Sequence, residues 1–218
     1  MAENRYNGLS ENDRFAKWKE DFHAVFERAC GILESEKYIH WLTESIDDPS
    51  QSYLEIKDLI WILIQASHSL GMLFRRMTDH SSSDAQSLKN ILHDIRSNIQ
   101  IIQPNRCFPD ISDSVEQTNR FTDLWGTSEE DRIRKIQALI DRMPKHQHPV
   151  YEKITKIVAH ALGENVDNVN TSINDLLLAS NEVVDIVTDL GYMFSFNYPD
   201  PSLFTGKQDG EENIFFHK

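Results

Sequence analysis

Cysteine, glycine and proline are scarce in this sequence, and each shortage excludes a class of protein. The 218 residues include two cysteines, eight glycines and seven prolines. Cys30 and Cys107 lie far apart and in no Cys-x-x-Cys or Cys/His pattern, which argues against a disulfide framework or a zinc site. So little glycine and proline excludes a collagen-like or low-complexity chain. The composition is typical of a globular protein in the reducing cytoplasm.

Basic residues and long hydrophobic runs are also few. Lys and Arg total 22 against 35 Asp and Glu, which gives a formal net charge of -13. Such a surface repels phosphate backbones at long range, so a protein that coats nucleic acid broadly is not expected. The most apolar stretch, residues 59–74, contains Gln65 and His68 and is shorter than the roughly 20 residues of a membrane span. We therefore expect no membrane association, and the N-terminus lacks the order of a signal peptide.

Helical periodicity dominates what the sequence does contain. Ser10 is placed as an N-cap before apolar residues at three- and four-residue steps, which predicts a helix over residues 11–45, continuous or broken near Gly31. Residues 53–79 predict the most hydrophobic helix, and its apolar character around most of the circumference predicts that residues 55–79 are the most buried helix. We therefore expect an all-α bundle of five to seven helices.

Other helices are predicted in both halves of the chain. Helices are predicted over residues 87–102 and 149–162. A capping box of Thr127 with Glu130 predicts the start of another helix between them. Thr171 or Ser172, with Asp175 behind it, predicts the start of the last helix. Residues 103–126 show little periodicity and predict a long connection. The resulting organisation is a single domain over 11–196, with tails at 1–10 and 197–218.

A basic helix face within this acidic chain is the first candidate site. Lys153, Lys156 and His160 lie seven and four residues apart and project from one face of the predicted helix. A histidine with a pKa near neutrality can transfer protons, and neighbouring lysines can hold a phosphate. The alternative is a histidine that faces the bundle, with solvated lysines beside it.

A second candidate site closes the central hydrophobic helix. Arg75 and Arg76 stand in its last turn, and Arg76 and Asp79 are three residues apart and can pair. An arginine turned inward there would bind phosphate bidentately. The favourable interaction of cations with a helix C-terminus is an alternative and sufficient reason for their position.

Other enzyme and metal signatures are absent from the sequence. His146 and His148 form a His-x-His pair, but no third ligand has a defined place, so no metal site is predicted. The sequence has no glycine-rich phosphate loop, nucleophile elbow, HExxH or CxxC motif, and we predict no cofactor.

The order of these features resembles the HEPN superfamily, and within it the AbiU-type branch of abortive-infection proteins. The resemblance covers residues 15–195. It rests on an apolar helix ending in Phe74–Asp79, a Ser87-Leu88 start to the next helix, Lys156 with Ala159-His160, and Thr171–Leu176 opening the last helix. What it implies is a HEPN-like protein of a phage-defence or toxin–antitoxin system, acting as a homodimer with the helix around His160 near the interface.

The activity implied by the resemblance is metal-independent cleavage of RNA centred on His160. In this interpretation His160 is the general acid and base, while Lys153, Lys156 and Arg76 neutralise the phosphate and Arg75 helps to bind RNA. Ile154 stands where the family motif has an arginine, and Thr155 stands where it has Asn or Asp. A second hypothesis is therefore a catalytically degenerate module that binds a nucleotide or a protein partner encoded nearby.

A third hypothesis is a histidine phosphotransfer bundle. The run Ala159-His160-Ala161-Leu162-Gly163 resembles the Ala-His-x-Leu-Lys-Gly motif of those domains. The lysine before the glycine is missing, and the chain is much longer than such domains need. This hypothesis therefore ranks behind the other two.

Overall fold

The computed structural model describes residues 5–48, 54–78, 86–144 and 166–194, with the side chains of the last range described from Ile173 onward. Within these ranges the chain is all-helical and contains no strand, which confirms the predicted fold class. Its α-helices are α1 (Glu11–Asp47), α2 (Ile56–Thr78), α3 (Leu88–Ser97), α4 (Pro104–Cys107), α5 (Ser114–Trp125), α6 (Glu129–Arg142) and α7 (Val166–Phe194), and a 3₁₀ turn at Ile99–Ile101 follows α3. The predicted C-terminal tail at 197–218 lies outside the described residues.

Helix α1 is one continuous helix of 37 residues, about 55 Å long. It begins where the sequence predicts, because the Ser10 hydroxyl accepts a hydrogen bond from the backbone N–H of Asp13 at 3.2 Å. Gly31 does not break it. Instead, a Cβ at Gly31 would lie 3.3 Å from a methyl carbon of Leu73, so the missing side chain lets α2 pack closely there.

Helix α2 packs along α1 but is not the most buried helix, so that prediction is wrong. It buries nine of its 23 residues, whereas α7 buries half of its described side chains. One face of α2, which includes Trp61 and Met72, is open to solvent. Apolar residues around a helix therefore did not guarantee that every side of it meets another helix.

Helix α7 runs antiparallel to α1 through the core. The Asn181 amide donates to Glu36 at 2.9 Å, and further along a Cβ at Gly191 would lie 3.3 Å from Phe22. The helix begins at Val166, ahead of the predicted start at Thr171 or Ser172. The Ser/Thr pair therefore lies inside a helical segment rather than at its cap.

Residues 103–126, predicted as a long connection, contain helices α4 and α5. The Asp113 carboxylate caps α5 by accepting from the backbone N–H groups of Val115 and Glu116. Only Phe121 and Trp125 of this helix are buried, so its apolar stripe is too short to produce a clear sequence period. The segment is thus a packed part of the bundle.

The N-terminus of α6 has a capping box, although not the predicted one. The Ser128 hydroxyl accepts from the Asp131 backbone N–H at 3.1 Å, and the Asp131 carboxylate accepts from the Ser128 backbone N–H at 3.2 Å. The capping pair is therefore shifted by one residue from Thr127 and Glu130. The aspartate at the third helical position accepts from the N-cap backbone N–H, as a glutamate does in the usual capping box.

Gly126, which precedes this box, gives a testable prediction. Its φ is +86°, and an added Cβ would lie 2.4 Å from Cβ of Asp131. We expect Gly126→Ala to lower the free energy of unfolding by about 2 kcal/mol or more, from backbone strain and the displaced cap together. Gly8→Ala is the matched control, because Gly8 also has a positive φ (+75°) but nothing lies within 4 Å of its Cβ position. Equal losses for the two variants in urea denaturation would contradict the role of the Asp131 contact.

Among the described helices, none combines the length and apolar character needed to cross a bilayer.

Candidate functional site

The predicted site residues are only partly within the described structure. Arg75 and Arg76 lie in the last turn of α2, and both side chains are exposed. The other predicted site residues lie outside the described residues: Asp79, Lys153, Lys156 and His160. The same holds for the His-x-His pair, His146 and His148, and for Ile154, which stands in the family's arginine position. The Arg76–Asp79 pair and the basic face around His160 therefore stay predictions.

The antiparallel packing of α1 and α2 brings a second arginine to the end of α2. Gly31 of α1 lies against Leu73 of α2. Arg28 precedes Gly31 by three residues and Arg76 follows Leu73 by three, so the two arginines lie at the same level of the helix pair. Residues 48 positions apart in sequence are thus brought to the same level, at the end of α2.

The electrostatics of Arg28 agree with this placement. Burial lowers the pKa of the Arg28 guanidinium, and the positive charge of Arg76 lowers it further. The negative charges of Asp21 and Glu27 raise the pKa of Arg28, but by less than burial and Arg76 lower it. Arg28 is half-buried and Arg76 is exposed, and two cations that repel each other would both be stabilised by an added anion.

The orientation of Arg28 is fixed by its contacts with Gln86, just before α3. One terminal nitrogen of Arg28 donates to the backbone carbonyl of Gln86, and the other lies 3.4 Å from its side-chain oxygen. The Gln86 amide in turn donates to Asp21 at 3.3 Å. Arg28 is therefore held by neutral oxygens, which leave its charge uncompensated at close range.

Asp21 is a fully buried carboxylate at the centre of this network. It accepts from the Arg5 guanidinium and the Tyr6 hydroxyl, each at 2.8 Å, and its nearest distance to the Lys17 ammonium is 3.4 Å. Burial raises the pKa of Tyr6, and the Asp21 charge raises it further, so the phenol stays protonated and donates. With this many donors around it, Asp21 anchors the N-terminal residues to α1 and is not placed as a general base.

A second buried carboxylate, Asp94 of α3, has a similar structural role. It accepts two hydrogen bonds from Arg14, at 2.8 and 3.1 Å, and one from the indole N–H of Trp18 at 2.8 Å. The Arg14 charge is therefore matched by a carboxylate, unlike that of Arg28. This contact ties α3 to the start of α1.

Arg76 differs from the other arginines of this region. Within the described ranges it forms no hydrogen bond and no ion pair, and its side chain is exposed next to Arg28. Guanidinium groups offer planar pairs of N–H donors that match the oxygens of phosphate. The Arg28–Arg76 pair is therefore a suitable place for an oxyanion on a protein of net charge -13.

Sequence reasoning identified Arg76 from its position at a helix end but missed Arg28. Arg28 lies in a helix rich in charged residues, and nothing in the sequence distinguishes it from its exposed neighbours. Only the register of α1 against α2 could have indicated it.

Comparisons with known proteins add no relative. No family model, curated protein or solved structure matches this chain. Among the residues that the structure describes, no cluster of His, Cys, Asp or Glu is arranged to hold a metal ion.

Proposed function

We propose that this chain is a HEPN-like helical protein of a prokaryotic defence or toxin–antitoxin system, and that it binds RNA phosphate at the Arg28–Arg76 pair. The observation that carries the proposal is the proximity of two arginines, one without a partner among the described residues, on a strongly acidic chain. A bound phosphate would stabilise both of these cations. The order of the sequence motifs supports the HEPN-like part of the proposal.

RNA cleavage is the catalytic part of the proposal and is assigned to His160. A histidine can remove the proton of a ribose hydroxyl and supply one to the leaving oxygen, and such catalysis contributes typically about 100- to 10,000-fold. Lys153 and Lys156, on the same predicted helix face, would neutralise the scissile phosphate. Ile154 in the family's arginine position favours the second candidate, a module that binds RNA or nucleotide without cutting it.

Binding is tested by the fluorescence anisotropy of a labelled single-stranded RNA, measured across a range of salt concentrations. We expect Arg76→Gln to weaken binding about tenfold, since one charge-assisted phosphate contact is lost. The slope of log affinity against log salt should also fall by about 0.7. Arg134→Gln is the matched control, because it removes the same charge from an exposed arginine of α6 that pairs with Asp131 at 3.6 Å. Equal weakening by the two variants would overturn the assignment of Arg76.

Cleavage is tested with the same RNA in the presence of EDTA. We expect cleavage by the unmodified chain and a loss of about 100-fold or more in His160→Ala. Cleavage that His160→Ala leaves unchanged would contradict the site. Binding that depends on Arg76 but is not followed by cleavage would select the second candidate.

A further inference from the structure

Large apolar side chains are exposed on the outer side of the α1–α2 pair. Tyr38 and Trp41 of α1 are 39% and 36% exposed, and Trp61 and Met72 of α2 are 60% and 42% exposed. The rings of Tyr38 and Trp41 stack with their centroids 5.6 Å apart and their planes 16° apart. We call these four residues the aromatic face. Soluble monomers rarely leave so much aromatic surface in contact with water.

Helix geometry places the four residues on one surface. Trp61 and Met72 are eleven residues apart, about three turns, and therefore lie on one stripe of α2. Tyr38 follows Gly31, which contacts α2, by seven residues and so lies on the same side of α1. The antiparallel register sets Tyr38 level with position 66 of α2, between Trp61 and Met72. The aromatic face therefore spans both helices at the middle of the pair.

The two ends of α2 carry opposite charge. At the end where α1 finishes and α2 begins, the exposed acids are Glu44, Asp47, Asp48, Glu55 and Asp58. The lysine at that end, Lys57, forms an ion pair with Glu55 at 2.7 Å. At the opposite end α2 finishes with Arg75 and Arg76, and Arg28 of α1 lies near them. The surface of α2 is thus acidic, then aromatic, then basic along its length, whereas α1 also carries the exposed acids Glu27 and Glu34.

From this arrangement we propose that the aromatic face binds a second copy of this chain in a twofold, antiparallel dimer. A twofold axis beside Gln65 and Ser69 places Trp61 opposite Met72 of the second copy, because each lies about 8 Å from the axis along the helix. The same operation places the acidic end of one copy against the basic end of the other. The charge pattern is therefore complementary to itself in this one orientation.

The dimension of the surface fits a stable dimer. Helix α2 has 23 residues, and two helices side by side present a face of about 35 by 20 Å, or about 700 Å². Specific interfaces bury about 800 Å² on each partner. Single-stranded RNA fits less well, since the acidic end would repel its phosphates. The proposal does not rest on RNA binding, and the acidic end of a second copy would compete with RNA phosphate for the Arg28–Arg76 pair.

The molar mass of the full chain, measured by light scattering on a sizing column, tests the proposal. We expect twice 25.3 kDa for the unmodified chain and 25.3 kDa for Trp61→Glu at about 20 µM, a concentration well above a micromolar dissociation constant. Tyr192→Glu is the matched control, because Tyr192 of α7 is 61% exposed against 60% for Trp61 and should leave the dimer intact. Circular dichroism verifies that both variants are folded.

Cross-linking tests the orientation without relying on a disruptive substitution. We expect Gln65→Cys to give a disulfide-linked dimer on mild oxidation, because position 65 lies beside the proposed axis. Tyr192→Cys and the unmodified chain, with its own Cys30 and Cys107, should not. A monomeric unmodified chain, a Trp61→Glu dimer, or equal cross-linking of the two cysteine variants would overturn the proposal. A monomer whose RNA affinity is lost in Trp61→Glu would assign the face to RNA instead. Because Arg76 belongs to the basic end as well as to the proposed phosphate site, the dimer is tested by the Trp61 and Gln65 variants and RNA binding by Arg76→Gln.

Discussion

Replacing Asp94 with alanine is expected to lower the free energy of unfolding by about 3–5 kcal/mol. The carboxylate is buried and accepts from Arg14 and Trp18, so its removal leaves a largely buried guanidinium and a buried indole N–H without their acceptor. A loss of this size is a large fraction of the roughly 5–15 kcal/mol that stabilises a typical protein. Urea denaturation followed by circular dichroism at one fixed protein concentration measures it.

Two further variants separate the ion pair from a general effect of losing an aspartate. Asp123→Ala, at an exposed position of α5, should change the free energy of unfolding by less than about 0.5 kcal/mol. Removing both charged partners, in Asp94→Ala with Arg14→Met, should cost less than the two single changes added together, since no charge is left unpaired. Strict additivity would show that the two residues do not act as a pair.

Truncating Trp125 to alanine is the second change with a large expected effect, about 3–5 kcal/mol. The side chain is fully buried at the end of α5, and its ring meets Phe194 of α7 edge-on at 5.2 Å. Its indole N–H also donates to the backbone carbonyl of Met193 at 2.5 Å. The substitution removes both the packing and the hydrogen bond that attach α5 to α7.

The controls for Trp125 come from the same position and the same helix. Trp125→Phe keeps most of the apolar volume but leaves the Met193 carbonyl without its donor, so we expect an intermediate loss of about 1–3 kcal/mol. Val115→Ala, at an exposed position of α5, should be nearly neutral. If Trp125→Ala unfolds at the same urea concentration as Val115→Ala, α5 contributes little to the core.

Sequence reasoning correctly predicted the parts of the fold that have long periodic stripes of apolar residues. Helix α1 and its Ser10 cap were predictable because the apolar positions recur over many turns and the cap is local. Helix α5 was missed because two buried residues make no period. The exposure of Trp61 was missed because a hydrophobic pattern records the side chains of one helix and not the neighbours that it meets.

The candidate site divides in the same way. Arg76 could be proposed from its place at the end of an apolar helix, since that feature is local. The proximity of Arg28 depends on how α1 and α2 are aligned, and the network through Gln86 to Asp21 depends on three separate segments. Such tertiary proximity has no signature within a single sequence.

The attachment of Arg5 and Tyr6 to Asp21 has a practical consequence for where the folding unit can be trimmed. A shortened form that starts at Asn7 would lose two of the donors to a fully buried carboxylate and leave mainly Lys17 and Gln86 to compensate it. Proteolytic nicking between Tyr6 and Ser10 would also weaken the fold, even though Gly8 is exposed there. The smallest stable form of this bundle should therefore begin at or before Arg5, six residues ahead of its first helix.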